Sequence, residues 1–419
     1  MILARYNWIN ATIFSAVLGL SCPAAFADDS DQGAAGAQAT SIAALSKESI
    51  AARIRDGDLS ASPLFLPTAE RRVVFANIEY FSPVRGVVPD ETLYTLERDL
   101  QDFSALTYTV GDETFTLDEF LAQSSLMGLM VVSDDRIALE HYAQDHGPSS
   151  RWITFSVTKS VTSLLIGAAL EDGFIGSLED KVTDYLPRLR GSAYDEVSIL
   201  NLLNMASGVA WNEDYTDPES DVSIAGTFNG VALTDHLKKL PREHPPGEVF
   251  NYNTGESNLT GEVLRAAIGN NASSYLTAKI WQPFGMQADA TWLTNTLNGS
   301  ETGGCCISAT LEDYSRIGLF ALNDGVLPNG DRVLPEGWMQ ASTEPFAGNE
   351  NYGYLWWLYP DGRYSASGIF GQKIFVDPAS RTVIAVHSNA ETATGSAYAE
   401  HLNAALLAIS DHMRAGDGS

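Results

Sequence analysis

The segment Ser156–Leu170 constrains this chain more than any other. It carries one charge, Lys159, and is otherwise apolar or small on nearly every side. Its pattern predicts a helix that ends at Gly173. A helix that is apolar all round has no face to give to water, so it belongs in the middle of a large fold. Ser156 opens this helix, and Lys159 follows one turn later on the same face. At a helix N-terminus the free N–H groups and the positive dipole end favour an alkoxide and an adjacent oxyanion. An amine one turn inside an apolar helix is desolvated, which lowers its pKa and frees a neutral base. The pair has the Ser-x-x-Lys form of a serine nucleophile activated by lysine. Of the seven lysines, only Lys159 has a serine three positions before it. The plain alternatives are a serine that merely caps a helix and a lysine that reaches out to solvent. Four letters do not decide between these readings, so the surrounding chain must.

Composition narrows the partners. The chain has 419 residues and a formal net charge of −28. That charge argues against nucleic acid and anionic membrane surfaces. Residues 1–27 are read as an export signal: Arg5, the apolar stretch Ala11–Leu20, and Ala25-Phe26-Ala27 before Asp28. A periplasmic or secreted location is therefore expected. Residues 28–65 read as a flexible lead-in with a short helix near Ser46–Arg55. No later apolar run reaches about 18 residues, so no membrane insertion is expected. Cys305 and Cys306 are adjacent, which suggests two small buried residues rather than a disulfide framework. The acidic loop Glu213, Asp214, Asp217, Glu219, Asp221 lacks EF-hand spacing and reads as solvated. With no C-x-x-C and no H-E-x-x-H, neither a metal site nor a cofactor is expected. Oligomeric state is left open.

The periodicity places the remaining elements. Val73-Val74-Phe75 reads as a strand and Leu117–Leu121 as a short helix. Gly128–Ser133 and Arg136–Tyr142 form a hairpin around Asp134-Asp135. Helices are expected at Val182–Leu189, Ile199–Met205, Asn258–Ile268, Ser273–Trp281, Thr310–Asn323 and Ala397–Met413. Strands are expected at Gly353–Tyr359, Tyr364–Phe370, Gln372–Asp377 and Thr382–Ser388. Strands early and late, with helices between, predict an α+β fold. One antiparallel sheet is built from both chain ends, with flanking helices and a mostly α-helical insert at about 175–350. The folded domain is expected to span 66–415.

Three further stretches could carry chemistry. Tyr252 lies in Tyr252-Asn253-Thr254-Gly255-Glu256, on a loop before a helix, where its hydroxyl can enter a cleft. A nearby lysine cation would lower its pKa and make it a general base. Ala206-Ser207-Gly208 precedes Trp211 and Tyr215. Ala366-Ser367-Gly368-Ile369-Phe370-Gly371-Gln372 is a Gly-rich strand that a substrate backbone could approach closely. No G-x-S-x-G elbow occurs, and His387, at a strand end, is expected to be a buried structural histidine.

With Phe155-Ser156-Val157-Thr158-Lys159-Ser160, these motifs resemble the class C β-lactamase-related serine hydrolases over roughly residues 120–410. The wording is most similar to the 6-aminohexanoate-dimer (nylon oligomer) hydrolase and family VIII carboxylesterase branch. The resemblance implies a β-lactamase/transpeptidase-like fold and an acyl-enzyme on Ser156. Lys159 and Tyr252 would share general acid/base duty, and the N–H groups of Ser156 and Ile369 would form the oxyanion hole. It implies substrate contacts from Tyr215, Trp211, Gly368 and Phe370. Two departures matter. The second motif is Tyr-Asn-Thr rather than Y-x-N, and the third begins Ala366-Ser367-Gly368 without a cation. Both point from β-lactams towards small ester, linear amide or oligomer substrates. A D-Ala-D-Ala peptidase or weak β-lactamase is the alternative within this chemistry. A binding or sensor module of the same fold is the alternative outside it.

Overall fold

The computed structural model describes residues 45–416, Gln144 excepted. The export signal and the first part of the lead-in therefore lie outside the described residues. The expected short helix forms at Lys47–Arg55, with Ser46 as its N-cap.

The main sheet has seven strands. In chain order they are β1 (Glu97–Arg98), β2 (Leu126–Ser133), β3 (Arg136–Tyr142), β4 (Trp357–Leu358), β5 (Tyr364–Gly368), β6 (Gln372–Asp377) and β7 (Thr382–Ser388). Their spatial order is β4-β5-β6-β7-β2-β3-β1. The central pairing, β7 against β2, joins the late part of the chain to the early part, as expected. All pairings are antiparallel except β1 with β3. The β2–β3 hairpin turns on Asp134 and Asp135 with φ of 45° and 64°, the left-handed pair that tight hairpins require. Every residue of β2 and β7 is buried, which explains their nearly continuous apolar sequence.

Alternate side chains of the sheet feed two cores. Leu129, Val131, Phe375 and Ile384 pack with the C-terminal helix (Ala397–Gly416) and with helix α1 (Thr68–Ala76). Met130, Val132, Ile374 and Val383 pack with helix α2 (Val157–Glu171) and the helical region beyond it. Helix α2 is buried at every position from Val157 to Ala169. Helix α3 (Thr254–Ile268) lies against it.

Several local expectations are corrected. Val73-Val74-Phe75 is helical, inside α1. Arg71, Val74 and Phe75 are buried while Arg72 and Val73 are half-exposed, a helical spacing that outweighs the β preference of two valines. The expected strand Gly353–Tyr359 shrinks to Trp357–Leu358, because Leu355 takes a left-handed φ of 64° and breaks the extension. A small second sheet, Val84–Val87, Ala290–Leu293, Ile307–Thr310 and Arg151–Ile153, was not expected. Of Cys305 and Cys306, expected as two small buried residues, Cys306 is buried and Cys305 half-buried. His387 is fully buried, as expected, and its Nδ1 lies 2.9 Å from Nε2 of His146.

Candidate active site

Ser156 occupies the cap position of α2, yet its side chain makes no capping hydrogen bond. Lys159 is 1% exposed, so its amine does not reach solvent. Both plain alternatives for the pair therefore fail. The Lys159 Nζ instead donates to three acceptors: Ser156 Oγ at 2.9 Å, Thr254 Oγ1 at 3.1 Å and the Gly304 carbonyl at 3.0 Å.

The chemistry of those three partners differs. The Gly304 carbonyl has no proton to give. The Thr254 hydroxyl donates its own proton to Glu213 Oε1, with which it makes a close contact. Ser156 is the only one of the three with a proton free to move to the amine. A neutral Lys159 would keep two N–H bonds, to Thr254 and Gly304, and aim its lone pair at Ser156. Burial pulls the Lys159 pKa down to about 8, and the Glu213 charge holds it from falling further.

Tyr252 sits just before Asn253, the N-cap of α3, whose Oδ1 accepts from the Glu256 N–H. This helix begins four residues before the expected Asn258, and that early start brings Tyr252 to the foot of α2. Lys159 Nζ lies 5.3 Å from the centre of the Tyr252 ring. The phenol pKa is not lowered as expected. Burial pushes it well above the ordinary value, with Glu213 adding to the rise and a hydrogen bond with Ser156 opposing it. Tyr252 thus rests as a protonated phenol, suited to donating a proton.

Gly368 closes the other side. A Cβ there would stand 2.5 Å from the Thr154 carbonyl oxygen and 3.2 Å from Phe155 Cβ. Only glycine lets β5 approach so close to the entry of α2, and Ile369 follows directly on that contact. Among the described residues, no acceptor takes the backbone N–H of Ser156 or Ile369.

The other expected contacts are placed differently. Tyr215 and Trp211 both donate to Glu213, Tyr215 through its hydroxyl at 2.7 Å and Trp211 through its indole N–H. Trp211 is largely buried against Gly255, where a Cβ would meet its ring at 2.6 Å. Phe370 is 1% exposed and packs against Phe75 and Phe155, so its ring offers no surface to a substrate. Its left-handed φ of 61° turns the ring away from Ser156 and into the core. Trp356 is core, while Trp357 is half-buried and stacks on Tyr252 at 5.6 Å and 22°.

Sequence reasoning missed three participants. Glu213 reads in sequence as part of a solvated loop, yet its carboxylate also accepts from the Thr254 N–H at 3.0 Å. Thr254 stands at the third position of this motif, where Y-x-N has Asn, and its hydroxyl accepts from Lys159. Gly304 enters through its carbonyl, for which a sequence gives no signal.

Comparison with known proteins gives the family and the fold. Residues 116–409 match the Beta-lactamase family model. A 6-aminohexanoate-dimer hydrolase from Paenarthrobacter ureafaciens is 28% identical over 293 residues, covering 64% of this chain and 74% of that protein. Among solved structures, a Bacillus anthracis chain assigned as a 6-aminohexanoate-dimer hydrolase superposes with TM-score 0.74 at 21% identity. It covers 83% of this chain and 95% of its own. A family VIII carboxylesterase superposes with TM-score 0.54 at 16% identity, covering 70% and 96%. The family match spans well over half the chain and takes in the elements that carry Ser156, Lys159, Tyr252 and Gly368, so this chain belongs to the Beta-lactamase family.

Proposed function

We propose that this chain is a serine hydrolase of carboxylic esters or linear amides that works through an acyl-enzyme on Ser156. The observation that carries the reading is the set of partners around Lys159, of which Ser156 alone has a proton to surrender. In this reading the Ser156 hydroxyl attacks the substrate carbonyl carbon as its proton passes to Lys159. The carbonyl oxygen gains negative charge and is met by the N–H groups of Ser156 and Ile369. Tyr252, held as a phenol, gives its proton to the departing oxygen or nitrogen and is reprotonated from Lys159. Water then attacks the acyl carbon, and the released Ser156 recovers its proton.

Two features favour esters and linear amides over β-lactams. The third motif, Ala366-Ser367-Gly368, offers no cation to a substrate carboxylate. The wall beside Tyr252 is aromatic, with Trp357 stacked on it and Phe250 and Tyr352 behind. Such a wall suits an apolar acyl or linker chain. The 6-aminohexanoate dimer is the linear amide to try, since the relatives above are named for it.

The deciding experiment presents p-nitrophenyl butyrate, 6-aminohexanoate dimer and nitrocefin to the protein, and maps a fluorophosphonate label by peptide mass spectrometry. Ester or dimer turnover is expected, with the label on Ser156 and nitrocefin hydrolysed slowly or not at all. A label elsewhere, or fast nitrocefin hydrolysis without ester or dimer turnover, would sink the reading.

Glu213 allows a test by pH. Its charge favours the ammonium form of Lys159. Removing that charge should lower the lysine pKa below about 8, so more neutral amine is present at a given pH. Glu213→Gln should therefore move the acid limb of kcat/KM down by about one pH unit. A limb that stays put or moves up would remove Glu213 from this role.

A further inference from the structure

Two non-glycine residues beside the site adopt left-handed backbone conformations: Phe155 with φ of 46° and Phe370 with φ of 61°. Each adjoins one of the two proposed oxyanion donors. Phe155 immediately precedes Ser156, and Phe370 immediately follows Ile369. An aromatic residue gains nothing locally from this conformation, so it persists only where the surroundings over-determine it.

The surroundings here are specific. The rings of Phe155 and Phe370 meet at 5.5 Å, and Phe75 of α1 packs on both, at 4.8 Å and 5.4 Å. The three rings close a triangle. The Arg71 guanidinium, one turn before Phe75, covers the open face of Phe370 at 4.0 Å from its centre. Arg71 is itself 3% exposed. Its Nε donates to Asn389 Oδ1 at 2.9 Å, and Nη2 donates to the carbonyls of Ala390 and Glu391. That same loop holds the Phe370 backbone: Ala390 N–H donates to the Phe370 carbonyl at 3.0 Å, and Phe370 N–H donates to the Ala393 carbonyl at 2.9 Å.

We infer that Arg71, Phe75, Phe155 and Phe370 form a clamp that sets the spacing of the Ser156 and Ile369 N–H groups. The four are positioning residues, since none offers its side chain to substrate. The inference rests on the proposed acyl-enzyme reading and adds a determinant to it. Stabilisation of an oxyanion depends on donors fixed in advance, at the distance the transition state needs. The two donors come from segments more than 200 residues apart in sequence. They come together at the Gly368–Thr154 contact and through this clamp. Loosening the clamp lets the two left-handed residues relax and the donors drift apart. Substrate binding in the ground state, which the aromatic wall near Tyr252 supplies, is left in place.

The test compares two substitutions in the same core. Phe75→Leu removes the ring that joins Phe155 to Phe370. Phe120→Leu removes an equally buried ring that packs on Tyr108 and Tyr398 rather than on the clamp rings. Both should lower Tm. With p-nitrophenyl butyrate, well below either Tm, Phe75→Leu should lower kcat about tenfold or more with KM little changed. Phe120→Leu should keep kcat within about twofold of the wild type. Phe370→Leu is read in the same way should Phe75→Leu not fold. Equal kcat for the clamp variant and Phe120→Leu, or a loss confined to KM, overturns the clamp. Neither result touches the nucleophile, whose own test is the label on Ser156.

Discussion

Ser156→Ala is expected to lower hydrolysis of p-nitrophenyl butyrate by about 10,000-fold or more, and Lys159→Met by nearly as much. The reason lies in how the two groups depend on each other. Without the amine, the hydroxyl keeps its proton and stays a poor nucleophile. Without the hydroxyl, the amine has no proton to take, because Thr254 gives its proton to Glu213 and Gly304 contributes a carbonyl. Groups that act as one unit do not show additive losses. The double variant should therefore be no slower than the slower single variant. Circular dichroism should show all three folded, since methionine fills much of the volume of a buried lysine stem. A double variant markedly slower than either single one would mean that the two residues act separately.

Gly303→Ala should be among the most damaging single-methyl changes outside the nucleophile pair. A Cβ at this position would lie 2.4 Å from the Ser257 carbonyl oxygen and 2.8 Å from the Gly261 Cα. Both are backbone atoms of α3, so no side chain can swing aside. The added methyl must push the 303–304 segment away from the helix, at a cost of about 3 kcal/mol. Two acceptors move with that segment: the Gly303 carbonyl, which takes the Thr162 hydroxyl at 2.6 Å, and the Gly304 carbonyl, which takes Lys159. Stability and kcat should fall together. Gly86→Ala is the control, since a Cβ there meets nothing within 4 Å, and its stability should stay within about 0.5 kcal/mol of the wild type. Thermal denaturation and ester kinetics on the two variants check the pair. An unchanged Tm in Gly303→Ala would show that the α3 contact tolerates a methyl.

The two strongest local patterns are legible in the amino-acid sequence alone. An apolar helix that opens with Ser156 and Lys159 has one way to be buried, and the i, i+3 spacing places the two groups on one face whatever surrounds them. The all-buried strands β2 and β7 stand out as apolar runs, so a sheet drawn from both parts of the chain could be expected. Where propensity and periodicity conflict, as at Val73-Val74-Phe75, packing in the core shared with the C-terminal helix decides for the helix.

What the tertiary structure alone decided is electrostatic and steric. Glu213 looks in sequence like any member of an acidic loop. It reaches Thr254, 41 positions away, only because that loop folds over the start of α3. Tyr252 was expected to be a base with a lowered pKa, but burial and the Glu213 charge raise its pKa and keep it protonated at rest. Phe370 was expected to meet substrate, and its left-handed backbone sends the ring into the core instead. By itself the sequence determined which groups could react, because reactivity follows residue type and short-range spacing. Their protonation, their third and fourth neighbours and the direction of each side chain depend on burial and long-range contact, which exist only once the chain is packed.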